Sequence, residues 1–330
     1  MNPLRRIGID NYMLLLLVTM CVALIIPAEG VFADVLTYIV YVAVALLFFL
    51  YGAKLDTQSV RQGIANWRVQ ILTFSATYVI LPIIGVATAY AVSPWLGSIT
   101  AFGFIFLAVL PSTVQSSIAF TSLSGGNVPA AICAASFSNL IGVALTPALL
   151  ALIMSRSGIG IDINAVLKIV LQILLPFIVG QFMRPLIGSF VQRHRSATLV
   201  VDRGAILLIV YSAFSASTVS GLWENIPLCT LFIIITAVAG YLSLSLISMV
   251  ALAQLFRLSE PDQLVLLFCG STKSLATGLP IATALFPAEN IGGTVLPLMV
   301  YHMGQLLVCA FISQHKQKKQ KYSYTKAHKV

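Results

Sequence analysis

Long apolar runs alternate with short polar stretches along the whole chain. Ten runs are long enough to matter: residues 11–27, 35–53, 69–92, 98–123, 127–154, 164–184, 204–223, 227–256, 262–286 and 290–313. A helix rises 1.5 Å per residue, so crossing a hydrocarbon core of roughly 30 Å takes about 20 apolar residues. The expected fold is therefore an all-α polytopic membrane protein of ten transmembrane helices. The first five runs and the last five have similar spacing. Five is odd, so a five-helix unit repeated in tandem inserts the second time upside down, which predicts two inverted five-helix repeats.

Two of the ten runs are interrupted by polar residues. The fourth reads Ala108-Val-Leu-Pro-Ser-Thr-Val-Gln-Ser-Ser-Ile-Ala119 and the ninth Phe268-Cys-Gly-Ser-Thr-Lys-Ser-Leu-Ala-Thr-Gly-Leu-Pro280. Pro111 removes a backbone donor and clashes with the preceding turn, so the helix should kink or unwind there. Irregular backbone inside a membrane is tolerated only where it is buried in protein or lines a cavity. Interrupted helices in corresponding halves of a chain point to a transporter binding site. Helices four and nine are accordingly expected to be broken. Their polar residues, Ser112, Thr113, Gln115, Ser116, Ser117, Ser271, Thr272, Lys273 and Ser274, are candidates for contacting a substrate or ion. For any one proline, a kink satisfied by neighbouring hydroxyls is the simpler reading; two breaks together weaken it.

Lys273 stands out. An ammonium near a bilayer centre costs roughly 3 kcal/mol on insertion scales and on the order of 10 kcal/mol in simulations. It therefore faces a polar or wet interior. The residues leave three roles open for it: a structural tether between the broken helices that bonds freed carbonyls and hydroxyls around them, Ser116 and Ser117 included, a carrier of coupling protons, or a counter-ion for an anionic substrate.

Composition agrees with the pattern. Of 330 residues, 59% are hydrophobic and 9% charged, which excludes a water-soluble globule. The net charge of +9 is explained by topology rather than by nucleic acid. With both termini cytoplasmic, 16 of the 19 basic residues fall on the inner side, among them Arg5, Arg6, Lys54, Arg61, Arg68, Arg184, Arg203, Arg257 and the six lysines of the tail 314–330. Arg156 and Lys168 remain outside, as the positive-inside rule requires. The expected location is a multi-pass inner (plasma) membrane, with the lipid bilayer as partner and the basic tail in the cytoplasm. The run after Arg5 and Arg6, with Val31-Phe-Ala33 beyond it, has the outline of a cleaved signal peptide, but it serves equally as a first span. Cys21, Cys133, Cys229, Cys269 and Cys309 are scattered and read as small packing residues.

All ten carboxylates, Asp10, Glu29, Asp34, Asp56, Asp162, Asp202, Glu224, Glu260, Asp262 and Glu289, fall in loops or at span edges. The intramembrane carboxylate that many cation-coupled carriers use is thus missing, and so are aspartyl-protease and zinc-protease patterns. A serine and lysine hydrolase dyad, Ser271 or Ser274 with Lys273, has the chemical parts, yet neighbours on one helix rarely reach attack geometry. No enzyme activity, cofactor or metal is expected. Further candidates lie elsewhere. Thr77 follows Ser75 and precedes Pro82. Gly125-Gly-Asn127 is a turn with Asn127 as helix cap, followed by Ser136, Ser138, Asn139 and Thr146. Tyr211, Ser212, Ser215, Ser217 and Thr218 are read as a wall of a permeation path. His302 and Gln305 share one helical face. Each of these reads equally well as packing or hydrogen bonding between helices.

The segments Leu47-Phe-Phe-Leu-Tyr-Gly-Ala-Lys-Leu55, Leu110-Pro-Ser-Thr-Val-Gln-Ser-Ser-Ile-Ala-Phe-Thr-Ser122 and Phe268-Cys-Gly-Ser-Thr-Lys-Ser-Leu-Ala276 resemble the bile acid:sodium symporter family, in its SBF-like branch. The resemblance spans essentially the whole chain. It implies a core-type bundle (69–154 and 227–313), in which the broken helices four and nine cross, packed on a panel-type bundle (11–53 and 164–223), substrate between them, and alternating access. In the family's sodium-coupled members, cations are held by a Glu-x-Gly-x-Gln-Asn run in the ninth helix, a glutamine in the third and polar groups of the fourth and fifth. Matching residue by residue puts Phe268 at the glutamate, Thr272 at the glutamine, Lys273 at the asparagine, Thr77 at the third-helix glutamine and Ser116 and Ser117 at a serine-asparagine pair. The sodium-binding pattern is largely absent. The expected function is secondary, symporter-like transport of a small organic solute, anionic or amphipathic, with protons or sodium as the coupling ion. The alternative is a transporter-fold regulator or sensor of ion homeostasis.

Overall fold

The computed structural model describes residues 11–54, 66–156, 170–221 and 228–327, and every regular element among them is helical. Arg5, Arg6, Asp10, Asp56, Arg61, Asp162, Lys168, Glu224, Lys329 and the start of the sixth predicted span lie outside the described residues.

Twelve α-helices follow in order. They are α1 Asn11–Ile25, α2 Gly30–Lys54, α3 Trp67–Ser75, α4 Leu81–Val109, α5 Gln115–Leu123, α6 Val128–Arg156, α7 Leu175–Arg193, α8 Arg195–Val219, α9 Leu228–Leu255, α10 Glu260–Ser271, α11 Leu275–Leu285 and α12 Ala288–Ala327. A π-turn, Ala76–Ile80, joins α3 to α4, and another, Val170–Leu174, leads into α7. Eight helical segments among the described residues are long and apolar enough to cross a membrane, and α1 adds a shorter apolar helix. The chain is a polytopic membrane protein.

The longest segment, Trp67–Val109, has 43 residues. At 1.5 Å per residue it would run to about 65 Å, twice the hydrocarbon thickness. It does not run straight. Gly97 leaves the helix at φ 72°, ψ 169°, a conformation that a side chain would strain, and divides the segment in two.

Outward positions carry the apolar side chains that a soluble protein would hide: Tyr38, Phe182, Leu186, Phe232 and Phe311 are exposed. The interior is also packed, with Phe48, Phe104, Phe106, Phe214, Tyr241 and Tyr301 fully buried. The helix pair α2 and α7 approaches backbone to backbone. A Cβ built on Gly52 would collide with the carbonyl oxygen of Phe177, and one on Gly180 with that of Phe49, so the two glycines allow the contact reciprocally.

At one end of the molecule Asp262, in the first turn of α10, gathers three segments. Its Oδ1 accepts from Asn66 Nδ2 and from Asn127 Nδ2 at 2.9 Å each, and its Oδ2 from Ser259 Oγ at 2.8 Å. Asn127 also caps α6, accepting from the Ala130 amide at 3.1 Å, as the sequence predicts. The α12 helix continues past residue 313 through the basic segment to Ala327.

Candidate functional site

The α4 helix ends at Val109 because Pro111 cannot donate, and carbonyls left open there find partners outside the helix ladder. The Leu107 carbonyl takes the Leu110 amide in a long 3.4 Å bond. Val109 accepts from Thr146 Oγ1 at 2.7 Å. Pro111 accepts from the Ser274 amide at 2.8 Å, a direct bond between the two interrupted helices. Ser112 accepts from Asn139 Nδ2 at 2.7 Å, and Thr113 from Ser117 Oγ, while the Ser112 amide donates to Ser138 Oγ at 3.1 Å. The carbonyls of Ala108 and Leu110 are not taken by any of these groups.

Lys273 takes both. It lies in the extended stretch between α10 and α11, and its Nζ donates to Ala108 O at 2.6 Å, Leu110 O at 2.8 Å and Thr77 O at 3.0 Å. The third partner has its own sequence cause. In the π-turn, the Leu81 amide reaches back to Ala76 O. Thr77 O would then need the amide of residue 82, which is a proline. An ammonium has three donors, so the three carbonyls saturate it. Hydrogen bonds from a charged group contribute about 1.5–3 kcal/mol each. Three of them are of the same order as the cost of inserting the lysine. Among the described residues Lys273 is the only buried charged side chain.

The backbone of Lys273 is held as well. Gln305 Oε1 accepts from its amide and Gln305 Nε2 donates to its carbonyl, both at 2.8 Å. Tyr301, one turn earlier on α12, donates to Ser271 O at 2.6 Å. A hydroxyl cluster joins the two breaks. Thr272 Oγ1 lies 3.0 Å from both Ser112 Oγ and Thr113 Oγ1, and Ser116 Oγ donates to Thr113 Oγ1 at 2.7 Å. Ser274 caps α11 through the Thr277 amide at 3.2 Å, and Thr277 Oγ1 donates to Asn139 Oδ1 at 2.9 Å.

Beside this crossover lies a cavity of about 680 Å³. Thr113, Gln115, Ser116, Ser136, Asn139, Ser274 and His302 line it, and Tyr12, Tyr51, Lys54, Phe177, Asp202 and Arg203 face them from α1, α2, α7 and α8. Lys54 and Asp202 form an ion pair of 2.5 Å, and the Arg203 guanidinium sits 4.8 Å from the Tyr12 ring centre. Apolar residues such as Phe120, Leu140, Val143 and Ile206 complete the wall.

The predicted residues thus divide. Lys273, Thr77, Ser112, Ser117, Ser138, Ser271 and Thr272 are not cavity-lining; they hold the breaks together. Of the freed carbonyls and hydroxyls expected as its partners, Lys273 bonds three carbonyls and neither Ser116 nor Ser117. The hydroxyls of α8 do not form the expected wall either. Ser217 accepts from the Gly292 amide at 3.1 Å and Tyr211 donates to Ile26 O at 2.9 Å, so they join α8 to α12 and to the chain after α1. Sequence reasoning missed Lys54, Asp202 and Arg203 as cavity residues; their basic and acidic character read only as topology.

The positions matched to the family's cation ligands are engaged within the protein. Phe268 is fully buried against Phe120, with ring centres 5.8 Å apart. Thr77 Oγ1 and Ser117 Oγ donate to carbonyls of their own turns, and Lys273 occupies the carbonyls of the break. Nor do Ser271 and Ser274 pair with Lys273: Ser271 Oγ donates to Leu267 O at 2.5 Å and Ser274 Oγ lies 3.0 Å from Thr277 Oγ1.

Broken apolar helices, clamped to each other and bordering an amphipathic cavity, are features of the transporter class of membrane protein. Residues 10–318 match the SBF-like CPA transporter family, and the chain belongs to it. It is 45% identical over 306 residues to "Uncharacterized protein PA2026" of Pseudomonas aeruginosa, with 92% of each chain covered. To "Putative symporter YfeH" of Escherichia coli it is 41% identical over 310 residues, covering 93% of this chain and 92% of that one. The "Sodium/bile acid cotransporter 7" of Mus musculus is a more distant relative, 27% identical over 326 residues with 93% and 92% covered.

Proposed function

We propose that the protein is a secondary transporter of a small amphipathic organic anion, working by alternating access, in which the Lys273 ammonium stands where related carriers hold a coupling sodium. The observation that carries this reading is the three-carbonyl grip of Lys273 on Thr77, Ala108 and Leu110 beside the cavity. Lys273 has no donor left for a solute, which favours the tether over the counter-ion role. Ten spans in two inverted five-helix repeats account for the eight long segments, the short α1 and the division at Gly97. In that arrangement a panel-type bundle (11–53 and 164–223) flanks a core-type bundle (69–154 and 227–313), and the cavity lies between them. Both termini are cytoplasmic in the inner (plasma) membrane, and the cavity reaches Lys54 and Arg203 on that side. An acidic group of the solute meets the basic side chains there, and its apolar body meets Phe120, Val143 and Phe177.

The test is uptake of labelled amphipathic acids, cholate first, into liposomes containing only this protein, with and without a sodium gradient. Saturable uptake indifferent to sodium supports the reading. Uptake that requires sodium sinks the substitution of Lys273 for the ion. Absence of uptake for every acid tried sinks the transporter reading itself.

A further inference from the structure

Most polar groups around the cavity are already spent inside the protein. Asn139 donates to Ser112 O and to Ala135 O at 3.0 Å and accepts from Thr277. Thr113, Ser116, Ser274 and Thr277 are engaged with one another or with Thr272. The Ser136 hydroxyl and the Gln115 amide line the cavity without a hydrogen-bond partner among the described residues. His302 is different in kind, because its hydrogen-bonding role follows by steps from the backbone.

A peptide N–H can only donate. The bond from the Lys273 amide therefore fixes which end of the Gln305 side chain is oxygen. The other end is an NH2, which can only donate, and it does so twice: to the Lys273 carbonyl at 2.8 Å and to His302 Nδ1 at 2.9 Å. Nδ1 of His302 must then carry a lone pair, and the ring proton resides on Nε2. His302 lines the cavity, and the side-chain hydrogen bond its ring makes among the described residues is at Nδ1.

We infer that His302 is a specificity-determining residue of the solute site, presenting a fixed Nε2–H donor to a hydrogen-bond acceptor such as a carboxylate or carbonyl oxygen of the solute. Gln305 is its positioning residue. The inference rests on the reading of the cavity as the solute site and deepens it. Because Gln305 also clasps Lys273, the donor is referenced to the crossover, so a solute that lacks an acceptor at this point leaves a polar group unpaired and binds less well. A protonated imidazole would turn Nδ1 into a second donor facing the Gln305 amide, so the bound state uses the neutral ring.

The two ring nitrogens can be separated by substitution. In His302→Asn the short amide can still accept from Gln305 but does not reach the Nε2 position; in His302→Gln the longer amide places a donor near Nε2. Full-length protein in detergent is titrated with cholate, decanoate and indole-3-acetate, and ¹⁵N-histidine spectra are recorded alongside. For at least one acid, His302→Asn should weaken binding about tenfold, the worth of one hydrogen bond to a charged acceptor, while His302→Gln stays within about threefold of wild type. The spectra should show a resonance, lost in His302→Asn, with Nε2 protonated and Nδ1 bare. Wild-type affinity in His302→Asn, or a protonated Nδ1, overturns the inference and leaves the solute site standing. Binding of none of the three acids overturns the solute-site reading, and this inference with it, and the ring-nitrogen signature would persist to tell the two failures apart.

Discussion

Gln305 clasps both ends of one residue: its oxygen accepts the Lys273 amide and its nitrogen donates to the Lys273 carbonyl, at 2.8 Å in each case. The extended residue between α10 and α11 thus finds on α12 the partners that a helix would have supplied. With its backbone held, the lysine can aim its side chain at the other broken helix.

Gln305→Leu keeps the volume and removes both bonds, leaving a buried N–H and C=O open. Each such group costs about 1–3 kcal/mol. Thermal denaturation in detergent should show a loss on the order of 2–4 kcal/mol, read as a clearly lowered midpoint. An unchanged midpoint would mean that the clasp contributes nothing.

Lys273 and Pro82 should be energetically coupled, since the proline leaves Thr77 O without an amide and the lysine supplies the donor. Lys273→Met is expected to destabilise the protein in the wild-type background and to do so less after Pro82→Ala. A double-mutant cycle should give a coupling of about 0.5–1.5 kcal/mol. Strict additivity of the two substitutions contradicts the link.

Restoring the family's glutamate should not restore a sodium site. Phe268 is packed with Phe120, Leu264, Cys309 and Ala310, so Phe268→Glu buries a carboxylate among apolar groups. The variant is expected to lose stability, with a melting midpoint that does not respond to sodium up to high concentration. A sodium-dependent rise would show that a latent ligand set exists around position 268.

The α2 and α7 contact should tolerate no side chain at its closest points. Gly180→Val drives two methyl groups toward the Phe49 carbonyl and should cost several kcal/mol or prevent accumulation of folded protein, as judged by size-exclusion profiles. Gly204→Ala, in open space on α8, is the control and should behave as wild type. Equal behaviour of the two variants would refute the close approach.

Much of this was legible in the sequence, for identifiable reasons. Apolar length alone marks membrane helices, because the bilayer imposes it on each helix separately. Pro111 and the polar run around Lys273 marked the two interruptions, since a missing amide and an inserted ammonium are costly wherever they occur. The π-turn was not legible, because it depends on which carbonyl the Leu81 amide reaches. The function of Gln305 was equally hidden: the residue lies 32 positions from Lys273, and no local pattern links them. Lys54, Asp202 and Arg203 were visible only as charges near the ends of predicted spans.

The sequence by itself determined that helices must form, roughly where they run and where two of them must fail, because these follow from the chemistry of each residue and its near neighbours. Tertiary structure alone decided which group satisfies each opened carbonyl. Lys273 had chemically equivalent choices among hydroxyls, carbonyls and a solute, and the packing of α4, α10 and α12 selected three carbonyls. The same packing turned His302 toward a cavity whose opposite wall comes from helices distant in the chain. Hydrogen bonds are short-ranged and directional, so their partners are settled only once the helices are brought together.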